Sequence, residues 1–416
     1  MVDVRPQAQP APWRLAIAIG ITQLISWGSV YYAFSLVISQ LGEAAHTDRT
    51  TVVGAFSMAL LVSGLCSTPV GRRIDRHGGR GLMSAGSLAA ALLLVALTQV
   101  TTPWQLYAVW MGLGAVMAAN LYDPAFAVLA QAFTGKHRQA ITVVTVFGGL
   151  ASTVFWPLTQ YLVQHLGWQQ ALWVLAALHL LVNLPVHAWM LPRTASGRML
   201  SDSPHAAPHK ANEAPRTALL RDPVFYGLCL AFTGNALVFS AMAVHFISLI
   251  HSKGLTLAQA AWIGACIGPM QVLGRLLEHQ FLSHWAASRV GRVAMWMLPC
   301  SLLLLSVLDT QLPGLLLFAF LYGVGNGVMT LVRGALPIEL YGRSHYGAVN
   351  GALATPVQWA KAAGPVAAAW VLSDFSDVQH LLWLLAVVSG ASALVFGLVT
   401  RPRRAAVTPN DKPAQN

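Results

Sequence analysis

Twelve stretches of mostly apolar residues recur along the chain, at about 15–39, 51–70, 81–101, 104–131, 139–163, 169–190, 224–250, 256–277, 290–308, 314–338, 347–372 and 379–399. Crossing the hydrocarbon of a bilayer as a helix takes about 20 residues, and each stretch is of that order. None has the alternation over about ten residues that marks a strand of a membrane barrel. The pattern predicts an all-α membrane protein of 12 transmembrane helices. The longest polar stretch, residues 192–222, is rich in Pro, Ser, Ala and charge and reads as a linker. It divides the spans evenly, giving an N-terminal six-helix bundle over 1–191, a second over 223–400, and a tail at 401–416.

Composition agrees. Of 416 residues, 56% are hydrophobic and only 9% charged, against about 25% charged in soluble domains. A soluble globular chain and a disordered one are both excluded. The net charge of +11 would suggest a nucleic-acid partner on a soluble protein. Its placement says otherwise. Counting segment by segment, 21 of the 25 Lys and Arg residues fall on one side of the predicted membrane, Arg275 among them. The positive-inside rule puts that side, with both termini and the linker, in the cytoplasm. Nucleic acid drops out as a partner. The first apolar run is a full span with no small-residue cleavage site, so no cleavable signal peptide is expected. Cys66, Cys229, Cys266 and Cys300 lie in or at the ends of spans without close CxxC spacing, so neither a disulfide framework nor a zinc site is expected.

The two sets of six spans resemble each other. Gly71-Arg72-Arg73-Ile74-Asp75 follows the second span, and Gly274-Arg275-Leu276-Leu277-Glu278 the eighth. Gly112-Leu113-Gly114 in the fourth span matches Gly323-Val324-Gly325 in the tenth. Two parallel six-helix repeats are the signature of a transporter that rocks around a site at their interface. The run Gly71-Arg72-Arg73-Ile74-Asp75-Arg76-His77-Gly78-Gly79-Arg80 is similar to the loop motif Gly-x-x-x-Asp-Arg-x-Gly-x-Arg of the major facilitator superfamily, and the topology of the whole chain resembles that family. The resemblance implies that Gly71, Asp75, Arg76, Gly78 and Arg80 form a gating loop, with Asp75 holding the eleventh helix in the outward-facing state. A purely topogenic basic loop is the other reading. The sequence departs from the drug-antiporter pattern, having Ala108 where those exporters place an Arg on the fourth helix.

Ionisable residues inside spans are costly and mark function. Lys361 lies near the middle of the eleventh span, with Gln358 three residues back on the same face. It is a candidate for substrate or proton binding, the alternative being a structural ion pair. Relatives that exchange small carboxylates are similar in using a basic residue on this helix; their partner Arg on the eighth helix maps near Met270, where it is missing. Arg333 in the tenth span and Asp123 in the fourth stand at related depths with opposite signs. They are expected either to pair across the cleft, or to leave Asp123 to Arg76. Asp123 is the leading proton-coupling candidate.

Gln23, Trp27 and Tyr31 form a polar-aromatic stripe on the first span, and Asn235 and His245 lie on the seventh. Pocket lining and interhelical hydrogen bonding are both open to them. His179, Asn183 and His187 on the sixth span read as helix–helix bonds rather than metal ligands. No GxxxxGK[ST], HExxH or GxSxG occurs, so ATP, cofactors and enzymatic chemistry are not expected. The expectation is a monomeric secondary transporter in a bacterial inner membrane. It would move a small organic solute by alternating access, driven by protons or a counter-substrate. Lys361 and Arg333 against Asp123 leave a surplus of one positive charge, which favours an organic anion or carboxylate. An exporter of hydrophobic drugs or metabolites is the alternative.

Overall fold

The computed structural model describes residues 13–133, 136–192, 221–307, 311–343, 345–375 and 378–401, all of whose regular elements are helical. The predicted linker and tail fall almost wholly outside these residues. Ten helices are long and apolar enough to cross a membrane: α1 (Trp13–Ala44), α2 (Arg49–His77), α3 (Arg80–Leu97), α4 (Pro103–Ala132), α5 (His137–Leu166), α6 (Trp168–Met190), α7 (Pro223–Ser252), α9 (Ala287–Val307), α10 (Leu312–Tyr341) and α12 (Val378–Val399). Two more long helices complete the order, α8 (Leu257–Leu277) and α11 (Tyr346–Phe375). Of these, α11 carries the polar residues Asn350, Gln358 and Lys361.

Local chemistry sets the ends. Asp48 caps α2 by accepting the Thr51 N–H at 3.2 Å, and Gly78, at φ 76°, stops the helix in a conformation that a side chain would resist. Thr256 and Gln259 form a reciprocal capping box at the start of α8. Large apolar side chains point outward along the rods, with Leu181 at 76% and Trp262 at 75% exposed, as expected where the surroundings are lipid.

Among the described residues the two sets of helices, α1–α6 and α7–α12, join chiefly towards one end. That end carries Arg72, Arg73, Arg76, Arg80, Lys136 and Arg343, and is called the basic end below. Here one buried apolar cluster mixes Ile74, Phe126 and Ile141 of α1–α6 with Leu331 and Tyr346 of α10 and α11. Towards the other end, one cluster belongs to α1–α6 with Ala362 as its single guest, and another draws only on α7–α12. The fold is therefore closed at the basic end.

Candidate functional site

The closure is built from small residues and helix ends. On α2 and α11 the backbones touch: a Cβ at Gly71 would overlap the Gly347 carbonyl, so only glycine permits this approach. The proximity brings Asp75 over the first turn of α11. There its two carboxylate oxygens accept the Gly347 N–H at 2.9 Å and the Ala348 N–H at 2.8 Å. Those N–H groups have no partner within their own helix, and an anion is favoured at that end of the helix dipole. Further along the seam Thr355 donates to the Gly64 carbonyl at 2.8 Å and Trp359 to that of Leu61 at 3.2 Å.

The second lock involves Glu278, the residue that the internal repeat matches with Asp75. Glu278 is 1% exposed and pairs with Arg138, in the first turn of α5. Arg138 also donates to the Trp285 and Ser283 carbonyls beyond α8. Each acid thus reaches from its own set of six helices to the start of a helix in the other.

Asp123 pairs with Arg333, not with Arg76, and Asn350 donates to the same Asp123 oxygen at 3.2 Å. The position arises from Pro124. Proline has no N–H, so α4 breaks at Leu121 and a new helical segment starts with Asp123 in its first turn. The carbonyl of Asn120 loses its helical donor, and the Gln23 amide replaces it at 2.6 Å. Gln23 and Asn120 are both fully buried, so Gln23 braces this joint instead of lining a pocket. Asn120 in turn donates to Ser87 at 2.9 Å, and Ser87 meets His187 at 2.8 Å. His179 bonds Ser29 and Asn183. Helix–helix bonding is thus what these histidines do.

Lys361 has no hydrogen-bond or ion-pair partner among the described residues, yet stands within electrostatic range of Asp123 and Arg333. Gln358, its neighbour by sequence, turns away to α2 and donates to Ser63 at 3.3 Å. His245 bonds the Pro365 carbonyl at 3.0 Å, inside the α7–α12 set. Asn235 is half-buried with no hydrogen bond among the described residues. Trp27 is the hub of an aromatic group, its ring centroid 5.1 Å from Tyr31, 6.2 Å from Tyr32 and 5.0 Å from Tyr122.

Two ionisable residues differ from the expectation. Arg275 does not belong to a loop at the membrane surface. It is 2% exposed, because it packs against Gly149 of α5, and it donates to the Thr145 carbonyl at 2.9 Å; α8 continues past it into a wider turn at Glu278–Leu282. Its charge acts on Tyr32 and Tyr122. Glu278 is a second interior carboxylate, more deeply buried than Asp123. The available signal was the pair Leu276-Leu277 between Arg275 and Glu278, apolar residues where a surface loop would be polar.

Distant relatives share this architecture. The chain is 26% identical to monocarboxylate transporter 13 of Bos taurus over 79% of its own length and 75% of that protein's. It is likewise 26% identical to monocarboxylate transporter 11 of Mus musculus over 57% of its length, spanning about half (51%) of that relative. An agnestins efflux protein of Paecilomyces divaricatus is 22% identical over 84% of this chain and 79% of that one. Among solved structures, the human organic anion transporter MFSD10 (TETRAN) superposes with a TM-score of 0.68 at 18% identity, covering 94% of this chain and all of that one. The E. coli fucose:proton symporter FucP does so with a TM-score of 0.72 at 13% identity, covering 94% and 99%. These likenesses establish the fold. The sequence model of the family matches residues 19–312 and 279–416, essentially the whole length from the first helix onward, and the chain belongs to the Major Facilitator Superfamily.

Proposed function

We propose that this protein is a secondary transporter that carries a small organic anion, a carboxylate, by alternating access, driven by a proton or counter-substrate gradient. The observation that carries this reading is Lys361, a cation inside the bundle whose nearby carboxylate among the described residues, Asp123, is already taken by Arg333. A charge in such a place is costly unless something neutralises it in the working cycle. A substrate carboxylate does so, and buried Arg275 adds a second positive group from the same set of helices. Asp123 is the proposed proton acceptor: protonation would release Arg333 and Asn350 together. The monocarboxylate and organic anion specificities in the names of the relatives favour the same substrate class.

In this reading the chain crosses a bacterial inner membrane 12 times as a monomer. Its two six-helix bundles flank the 192–222 linker, and the basic end with both termini lies in the cytoplasm, which makes the described state outward-facing. Reconstituted protein should take up labelled carboxylates under a pH gradient or by counterflow, and Lys361→Ala should reduce uptake at least tenfold. Undiminished transport by Lys361→Ala would refute the role given to that residue. The alternative, an exporter of apolar drugs or metabolites, draws on the aromatic group around Trp27 and on the efflux protein among the relatives. Drug susceptibility of a deletion strain separates the two.

A further inference from the structure

We infer that the substrate is an aromatic carboxylate, its ring received by the Trp27–Tyr31–Tyr32–Tyr122 group and its carboxylate by the neighbouring cations. This rests on the organic-anion reading above and narrows it. Three observations carry it.

First, these four side chains lie deep inside the bundle, on α1 and α4, and yet each keeps partly exposed surface, as does Lys361. Side chains that are deep and still incompletely covered border a recess. Within the group the rings meet edge-on or tilted, which leaves faces of Trp27, Tyr31 and Tyr32 for a further ring, while Tyr122 has one face stacked on Phe126. Offset and edge-to-face contacts of that kind add attraction beyond area burial.

Second, the polar atoms of the group are idle donors. The hydroxyls of Tyr31, Tyr32 and Tyr122 make no hydrogen bond among the described residues, and the indole N–H of Trp27 is buried without a partner. In a core built only for packing, Tyr and Trp usually place these groups on an acceptor.

Third, the surrounding charge is positive. Arg275 acts on Tyr32 and Tyr122 from α8, and among the described residues neither its Nε–H nor the Lys361 ammonium on α11 has a partner. Aromatic faces with phenol and indole donors on one side, and a guanidinium and an ammonium on the other, match a flat apolar body with a carboxylate at its edge. A short acid such as acetate would use the cations but leave the rings unfilled; a neutral apolar drug would strand the cations.

The test is counterflow into proteoliposomes of the full-length protein, with uptake by protein-free liposomes subtracted. The probes are labelled 4-hydroxybenzoate and phenylacetate, against acetate, lactate and succinate. The aromatic acids should have a kcat/KM at least tenfold above the short acids. Trp27→Ala and Tyr122→Ala should collapse that ratio, while Trp27→Phe, which keeps a ring and is the safer fold, should retain most of it. Equal or faster transport of the short acids would overturn the aromatic assignment and leave the organic-anion reading standing. No transport of any carboxylate by well-folded protein would overturn both. An aromatic preference unchanged in Trp27→Ala and Tyr122→Ala would refute the placement of the ring.

Discussion

Gln23 donates its side-chain amide to the backbone carbonyl of Asn120 at 2.6 Å, and this is the carbonyl that Pro124 leaves without a helical donor. A residue of the first helix thereby repairs the break that sets Asp123 at the start of a new helical segment. Both partners are fully buried, so no water takes over if the amide is lost. Gln23→Leu should cost about 1–3 kcal/mol, the penalty for a buried unsatisfied polar group. The expected result is a lower Tm in detergent with an unchanged substrate KM for the protein that remains folded. A raised KM at unchanged Tm would instead place Gln23 on the substrate.

Asp75 holds the start of α11 by two backbone N–H bonds, and α11 also carries Lys361. Asp75→Ala removes both acceptors and the favourable charge at the helix end. The lock at the basic end should weaken, shifting the conformational equilibrium by about 1–3 kcal/mol, or 5- to 150-fold. The measurement is the labelling rate of a single cysteine in the seam, such as Thr355→Cys, by a membrane-impermeant maleimide added from the basic side. The rate should rise in the Asp75→Ala background. An unchanged rate would leave the loop a purely topogenic role.

The apolar rods were readable from the chain because span length is a one-dimensional property, and the helix ends lie within a few residues of the expected ones for most spans. Contacts across the interface were not. Asp123 had two cations at plausible depth, and which one it meets depends on how α4 and α10 pack. The Gln23–Trp27–Tyr31 stripe assumed regular helical spacing, but α1 widens into a π-helical turn at Trp27–Tyr32. Gln23 bonds Asn120 of α4, while Trp27, Tyr31 and Tyr32 meet one another in the aromatic group. Arg275 was misplaced because matching it with Arg72 carried over a surface location; Arg275 packs against Thr145 and Gly149 of α5, so the same repeat position is buried in one half and only half-buried in the other.

Asp123→Asn keeps the size of the side chain and removes its charge and its capacity to take up a proton. If Asp123 couples transport to protons, the variant should lose accumulation driven by a pH gradient while retaining counterflow, which requires no net proton movement. The charge near Lys361 also becomes more positive, so the KM for a carboxylate should fall or hold steady. Loss of both modes with normal folding would mean that the Arg333 pair is needed for every conformational change, and not for coupling alone.

Glu278 and Arg138 should behave differently from a surface ion pair. The acid is 1% and the base 14% exposed, and removing one partner strands the other in a medium of low dielectric. Truncations of this kind cost about 3–5 kcal/mol, against at most about 1 kcal/mol for exposed pairs. Glu278→Ala should therefore lower Tm more than a single substitution of exposed Arg73 or Arg76 at the end of α2. The charge-swapped double variant, Arg138→Glu with Glu278→Arg, restores opposite signs but not the geometry. Arg138 also donates to the carbonyls of Ser283 and Trp285, and a carboxylate in its place would face those oxygens as an acceptor. The swapped Arg would meanwhile lie three residues from Arg275 on the same helix, where like charges repel. The double variant should thus recover only part of the Tm lost by Glu278→Arg alone. Full recovery would mean that the two charges, and not the carbonyl contacts, account for the whole of this second lock.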